Sequence, residues 1–223
     1  QNLGLEGNRS VLEEALSLFS SLRQTETALE QMQTQLEKNA DAALATRYAS
    51  MHERFVQDGG YEYAGRCRGM LRRFGFPDEM WEQSVSSLSG GQRTRLALAK
   101  LLLSQPDILM LDEPTNHLDR ETLFWLEDYL RAYPKTVIVI SHDRYFLDRT
   151  VTQILEIEHH RGKLYRGNYS QYAEQKKTDR EIAERHYKNQ QREIARIEAY
   201  IEQQRRWNRE RNIIAAESRE KQL

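Results

Sequence analysis

Apolar and polar positions switch period several times along this chain. From Ser10 the apolar residues recur at helical spacing, first Val11, Leu12, Ala15, Leu16, Phe19 and Leu22, then Leu29, Met32 and Leu36. Ser10 and Glu13 stand at the head of that stripe as a capping-box pair. The stripe breaks near Asn39-Ala40-Asp41 and resumes at Leu44, Tyr48, Met51 and Phe55, which predicts a helical hairpin closed by Gly59-Gly60. A further helix is predicted from about Glu62 to Phe74, ending at Gly75 ahead of Pro77.

The pattern then changes. Leu88-Ser89-Gly90-Gly91-Gln92 reads as a short turn opening into a helix, Arg93–Leu103, that is apolar on most sides and stops before Pro106. Glycines there let a backbone approach a ligand, and a helix N-terminus offers unpaired N–H groups to an anion. A continuous apolar strand follows, Ile108–Leu111, and ends in two carboxylates, Asp112 and Glu113. Glu121–Arg131 is a predicted helix. Thr136–Ile140 is a β-branched run of the kind buried on both faces of a parallel sheet, and it leads into Ser141-His142-Asp143. Val151–Ile157 and Gly162–Tyr165 predict a hairpin whose turn holds His159 and His160. These two carry metal-ligand chemistry but stand alone, and read as a solvated loop.

Gly167–Tyr172 closes the globular part. Beyond it the text is almost wholly polar, with Ala183, Tyr187, Gln190, Ile194, Ile197 and Ile201 at alternating four- and three-residue steps, a coiled-coil seam. Arg205, Arg206, Trp207, Arg209 and Arg211 then cluster within a few residues. Composition adds a tilt to this picture. The 223 residues hold 33 Lys and Arg against 34 Asp and Glu, a net charge of −1. From Ser170 onward the count is 13 against 10, leaving 20 against 24 before it, so the tail is +3 and the body −4. No apolar run approaches the roughly 18 residues of a membrane span. The single Cys67 excludes an internal disulfide and fits a reducing cytoplasm, with a partly buried helical position as its simplest role.

Taken in order, the turn, helix, strand, Asp112-Glu113-Pro114-Thr115-Asn116-His117-Leu118-Asp119 and second strand ending at His142 resemble the ATP-binding cassette ATPases. The wording of residues 112–119 is similar to the ABC-F branch, the soluble, ribosome-associated class. The resemblance implies an α/β, P-loop NTPase-like fold with a helical arm subdomain and a C-terminal long-helix coiled-coil linker. It implies three regions: residues 1–87 (a Q-loop remnant, with Gln1 as its glutamine and a metal contact, and the helical arm), 88–172 (the ATPase core) and 173–223 (part of the linker between cassettes). It further implies ATP and Mg2+ as cofactors. Asp112 would hold Mg2+ through water, Glu113 would polarise the attacking water and His142 would contact the γ-phosphate. Ser89, Gly90, Gly91 and Gln92 would meet the ATP held by an opposite cassette, and Asp119 would couple the two sites.

One departure is large. No G-x-x-x-x-G-K-[ST] occurs, so the Walker A loop that cradles the phosphates is absent, and the isolated chain is expected neither to bind ATP tightly nor to hydrolyse it. With Gln1 in place of an initiating Met, the expectation is a fragment, preceded by the phosphate loop and followed by a second cassette. The resemblance also implies partners: that second cassette, the ribosome, its rRNA and the P-site tRNA, with no membrane. The arginines at 205, 206, 209 and 211 around Trp207 suit RNA, since guanidinium pairs with phosphate and an indole stacks on bases. An SMC-like DNA-associated ATPase and a transporter ATPase subunit are the alternatives. The first should enter its coil before the signature turn, whereas here the long helix leaves afterward; the second does not usually continue into a basic helical linker. Translation factor and antibiotic-resistance protein stay open within ABC-F.

Overall fold

The computed structural model describes residues 4–5, 7–39 and 41–220. These fall into two compact units, divided between Thr150 and Val151.

The first unit opens with α1 (Val11–Leu16), capped reciprocally by Ser10 and Glu13 as the sequence predicts. The predicted continuous helix is interrupted by a 3-10 turn at Ser17–Phe19 before α2 (Ser20–Lys38). A physical reason is at hand: the Ser17 hydroxyl donates to the Glu14 carbonyl at 2.7 Å, competing with the helix's own hydrogen bonds. Asp41 caps α3 (Ala42–Gln57), which returns against α2 to complete the hairpin. Next come α4 (Tyr63–Arg73), α5 (Gly90–Leu103), β1 (Ile108–Asp112), α6 (Arg120–Arg131), β2 (Thr136–Ile140) and α7 (Arg144–Thr150).

The core of this unit gathers Cys67 and Leu71 from α4 with Phe74 just after it, Leu96, Ala99 and Leu102 from α5, Leu109 and Leu111 from β1, Leu126 from α6 and Phe146 from α7. Burial pushes the Cys67 thiol up to about 11, so it is an inert packing residue. Among the described residues two carboxylates are buried in this unit, Glu127, which pairs with Arg149 at 3.0 Å, and Glu14. Glu14 is fully buried, ion-paired with Lys100 of α5 and 3.7 Å from Arg9, tying α1 to α5. Strands β1 and β2 pair in parallel, with Leu109 opposite Val137 and Asp112 opposite Ile140. The sequence predicts burial on both faces. Instead, among the described residues, only the Leu109 and Leu111 side is covered, and Ile108, Met110, Ile138 and Ile140 are exposed.

The second unit is a hairpin and a long helix. β3 (Gln153–Glu158) and β4 (Arg161–Arg166) pair antiparallel around His159 and His160, both at positive φ as a two-residue turn of matching twist requires. Helix α8 runs from Tyr169 to Glu220. It starts earlier than the sequence predicts, because Asn168 and Gln171 cap each other's backbone N–H at 3.1 Å. Its first turns are seated on the hairpin. Glu156 accepts from the Tyr172 hydroxyl at 2.6 Å and pairs with Lys176, while Asp179 pairs with Lys163 and accepts from Tyr165. Farther along, Tyr187, Ile194, Ile197 and Ile201 of the predicted seam are exposed.

Candidate functional site

The parallel register builds the first half of the site. Because Asp112 lies opposite Ile140, Glu113 and His142 leave adjacent strands at the same, C-terminal end, where α/β sheets bind ligands. The Glu113 N–H donates to the Ile140 carbonyl at 2.8 Å, which fixes that strand end. Glu113 holds φ at +46°, a left-handed conformation that a residue with a Cβ adopts at a cost of roughly 1–2 kcal/mol. Its side chain is 26% exposed, and Oε1 is buried without a hydrogen-bond partner among the described residues. The nearest cationic candidate is His142 Nε2 at 3.7 Å, on a side chain that is 98% exposed. An orphaned carboxylate oxygen normally costs about 1–3 kcal/mol, so two unfavourable features coincide on one residue. Asp112, beside it, is exposed.

The second half is the N-terminus of α5. The sequence predicts helix from Arg93, yet Gly90 and Gly91 already form its first turn. Ser89 and Gln92 make a capping box: the Ser89 hydroxyl accepts from Gln92 N–H at 3.3 Å, and Gln92 Oε1 accepts from Ser89 N–H at 2.8 Å. The pattern S-x-x-Q was its sequence signal. Ser89 and Gly90 are exposed, while Gly91 and Gln92 are half-buried. Arg95, which sequence reasoning passed over, donates from Nη1 to the His117 carbonyl at 3.1 Å and holds this helix against the loop after β1. Only its spacing from Gln92 could have flagged it.

Asp119 closes that loop as the N-cap of α6, accepting from Thr122 N–H at 2.9 Å and lying 2.9 Å from the Thr122 hydroxyl. These two bonds hold its carboxyl below the usual range. Asp119→Ala should therefore cost about 1 kcal/mol at neutral pH. The folded-state pKa is lowered, so that contribution is present above the unfolded value near ~4 and lost as pH falls through the folded one. Urea unfolding at pH 7 and pH 3 checks this; an equal penalty at both would show that the carboxylate is not the cap.

Gln1 lies outside the described residues, as do the side chains of Arg205, Arg209 and Arg211, although α8 passes through all three arginine positions. Of the same cluster, Arg206 pairs with Glu202 at 2.8 Å and Trp207 is exposed. The structure thus brings Asp112, Glu113 and His142 together at one strand end and gathers Ser89–Gln92 at one helix end. Among the described residues no three acidic, His or Cys side chains cluster as a metal cage. No described helix is long and apolar enough to cross a membrane.

A family model described as "ABC transporter" matches residues 5–116, and a second with the same description matches residues 155–223. The chain is 47% identical over 176 residues to a putative ATP-binding protein, YdiF, of Bacillus subtilis, covering 79% of this chain and 27% of that protein. It is 34% identical over 194 residues to ABC transporter F family member 3 of Arabidopsis thaliana, covering 86% of this chain and 27% of the relative. Over 95 residues it is 55% identical to the energy-dependent translational throttle protein EttA of Mycobacterium tuberculosis, covering 43% of this chain and 17% of that one. It spans about a quarter of the length of the first two relatives. With the first model covering half of its residues and these relatives alongside, the chain belongs to the ABC-F branch of the ATP-binding cassette family.

Proposed function

We propose that the intact protein is an ATP-hydrolysing switch of two cassettes that acts on the ribosome, and that this chain is the signature-bearing half of one cassette with part of the linker. The observation that carries the catalytic part is Glu113: a left-handed residue with an orphaned carboxylate oxygen, 3.7 Å from His142, at the C-terminal end of a parallel strand. That oxygen suits a water to be polarised, and His142 suits the phosphate toward which the water moves. Asp112, exposed beside it, fits Mg2+ held through water. This ion prefers one or two carboxylates plus phosphate oxygens to a protein cage, and it would neutralise charge on the transferred phosphoryl group.

The signature glycines support the same reading. A Cβ on Gly90 would meet nothing within 4 Å, and on Gly91 it would meet only His117 at 3.6 Å, so packing within the chain does not demand them. Glycine in a helix costs roughly 0.5–1 kcal/mol relative to alanine. Contact with a phosphate brought by a second cassette gives them a use. Closure of two cassettes over ATP would then gate the linker's access to RNA, with the arginines at 205, 206, 209 and 211 as its contacts.

The test is co-sedimentation of the intact protein with ribosomes, with and without ATP, carrying Glu113→Gln and the matching change in the second cassette. Blocked hydrolysis should trap the closed form, so pelleting should require ATP. Pelleting that ignores ATP, or fails in its presence, would overturn the ribosome reading. Retention after neutralising the four tail arginines would remove their role.

A further inference from the structure

Helix α4 carries Arg66, Arg68, Arg72 and Arg73 and no acidic residue from Tyr63 to Arg73, in a body that is net −4. Its faces divide cleanly. Tyr63, Cys67 and Leu71 point into the core, whereas Arg66, Gly69, Met70 and Arg73, at steps of three, one and three, line a half-open recess of about 330 Å3. The opposite wall is Trp125 and Tyr129 of α6. That wall is held rigidly. Phe74 packs edge-on against Trp125 at 5.7 Å, Tyr129 tilts against Trp125 at 5.1 Å, and the Tyr129 hydroxyl donates to the Leu102 carbonyl at 3.0 Å. The volume lies within the ~300–1,000 Å3 of small-ligand pockets.

The arginines are not equally engaged. Arg72 is taken by Asp78 through two 2.7 Å bonds. Arg73 reaches Glu121 only at 3.5 Å between two exposed side chains, and Arg66 and Arg68 have no ion pair among the described residues. Gly65 and Gly69, one turn apart on the same helix, would place an added Cβ in open space, so the chain's own packing does not require them. Two guanidinium groups, those of Arg66 and Arg73, a helix surface bare enough for close approach and two fixed aromatic rings in a recess are what a single RNA strand uses: phosphates on arginine, a base on an aromatic platform.

We propose that this recess on α4 and α6 is a second RNA-binding site, holding the phosphodiester backbone on Arg66 and Arg73 and a base against Trp125. It extends the RNA-directed reading above but requires neither the ribosome nor ATP. The test uses the 223-residue chain with the tail silenced by Arg205→Gln, Arg206→Gln, Arg209→Gln and Arg211→Gln, so that the linker does not mask the site. A fluorescein-labelled 12-mer of mixed-sequence single-stranded RNA is titrated by polarisation at several salt concentrations.

Binding should survive tail silencing. Adding Arg66→Gln and Arg73→Gln should weaken it at least about fivefold and reduce the slope of log K against log salt by about 1.4, at ~0.7 per phosphate contact. Both positions are exposed, and an unchanged circular dichroism melt verifies folding. RNA should also quench indole emission, and Trp125→Phe should remove that quenching. Three results would each overturn the site: no binding once the tail is silenced, binding indifferent to the α4 changes, or displacement of RNA by an equal concentration of polyglutamate. The last would mark the surface as one for acidic protein. Because ribosome pelleting is absent from this experiment, failure of the ribosome reading leaves its outcome untouched.

Discussion

In the intact two-cassette protein, Glu113→Gln should lower ATP turnover by roughly 10²–10⁴-fold while leaving ATP binding in place. The companion glutamate of the second cassette is changed in both the test and the reference protein, so that residual turnover there does not hide the loss. Glutamine has nearly the shape of glutamate, keeps an oxygen and sits on the same strained backbone, where the N–H bond to Ile140 still fixes the strand end. What it loses is the charge that, on the proposed function, would pull a proton from water. Only Oε1 is buried and unpartnered, and His142 is too far at 3.7 Å to hydrogen-bond it, so the wild-type carboxylate is free to take a water. Single-turnover kinetics with radiolabelled ATP separate chemistry from binding. A rate within tenfold of the reference would move the base elsewhere; a lost affinity with normal chemistry would make Glu113 a binding residue.

The largest effect on stability is expected at Phe74→Ala, about 3–5 kcal/mol. Phe74 is fully buried where α4 ends, its ring edge-on to Trp125, with Leu71 and Phe76 in the same core. Truncation leaves a cavity between α4 and α6 that neither helix closes easily, since the Phe74 N–H and the chain after it are tied back to Met70 and Leu71. The loss reads out as a fall of roughly 6–20 °C in melting temperature for a chain of this size. A fall under about 2 °C would mean that the two helices collapse onto each other. The same truncation removes the backing of Trp125, so base quenching should weaken even where the protein stays folded.

Most of what is local was legible. The Ser10/Glu13 cap, the helical hairpin, the strand ending in Asp112-Glu113 and the long final helix all follow from period and capping chemistry, which depend on neighbours a few residues away. Smaller local features slipped past. Ser89 and Gln92 draw two glycines into helix, Asp143 caps α7 by accepting from Tyr145 and Phe146 N–H, and Ser17 interrupts the first stripe. The non-local features were out of reach. That Arg95 would hold the His117 carbonyl, that Glu14 would be buried on Lys100, and that α4 and α6 would leave an arginine-edged recess depend on how distant helices meet. The apolar strands hid a further fact. A continuous Val/Ile run says that a strand suits burial on both faces, not which residues cover them, and here Met110 and Ile138 face outward. A covering layer from the phosphate-loop half of the cassette is the occupant the proposed function calls for.

Helix α8 is seated on its hairpin by Glu156, Tyr172, Lys176 and Asp179, all close to its start, while the arginine cluster lies toward its other end. Fifty-two helical residues at 1.5 Å each reach about 78 Å, so the hairpin is the fulcrum of a long mechanical arm. A tilt of about 10° at the root would sweep the far end through roughly 14 Å, several times the width of a hydrogen bond. A small change of seating at the hairpin would therefore arrive at the far end of the helix as a large displacement. The paired charges at the root would bear the torque, and softening them would loosen the arm at its seat.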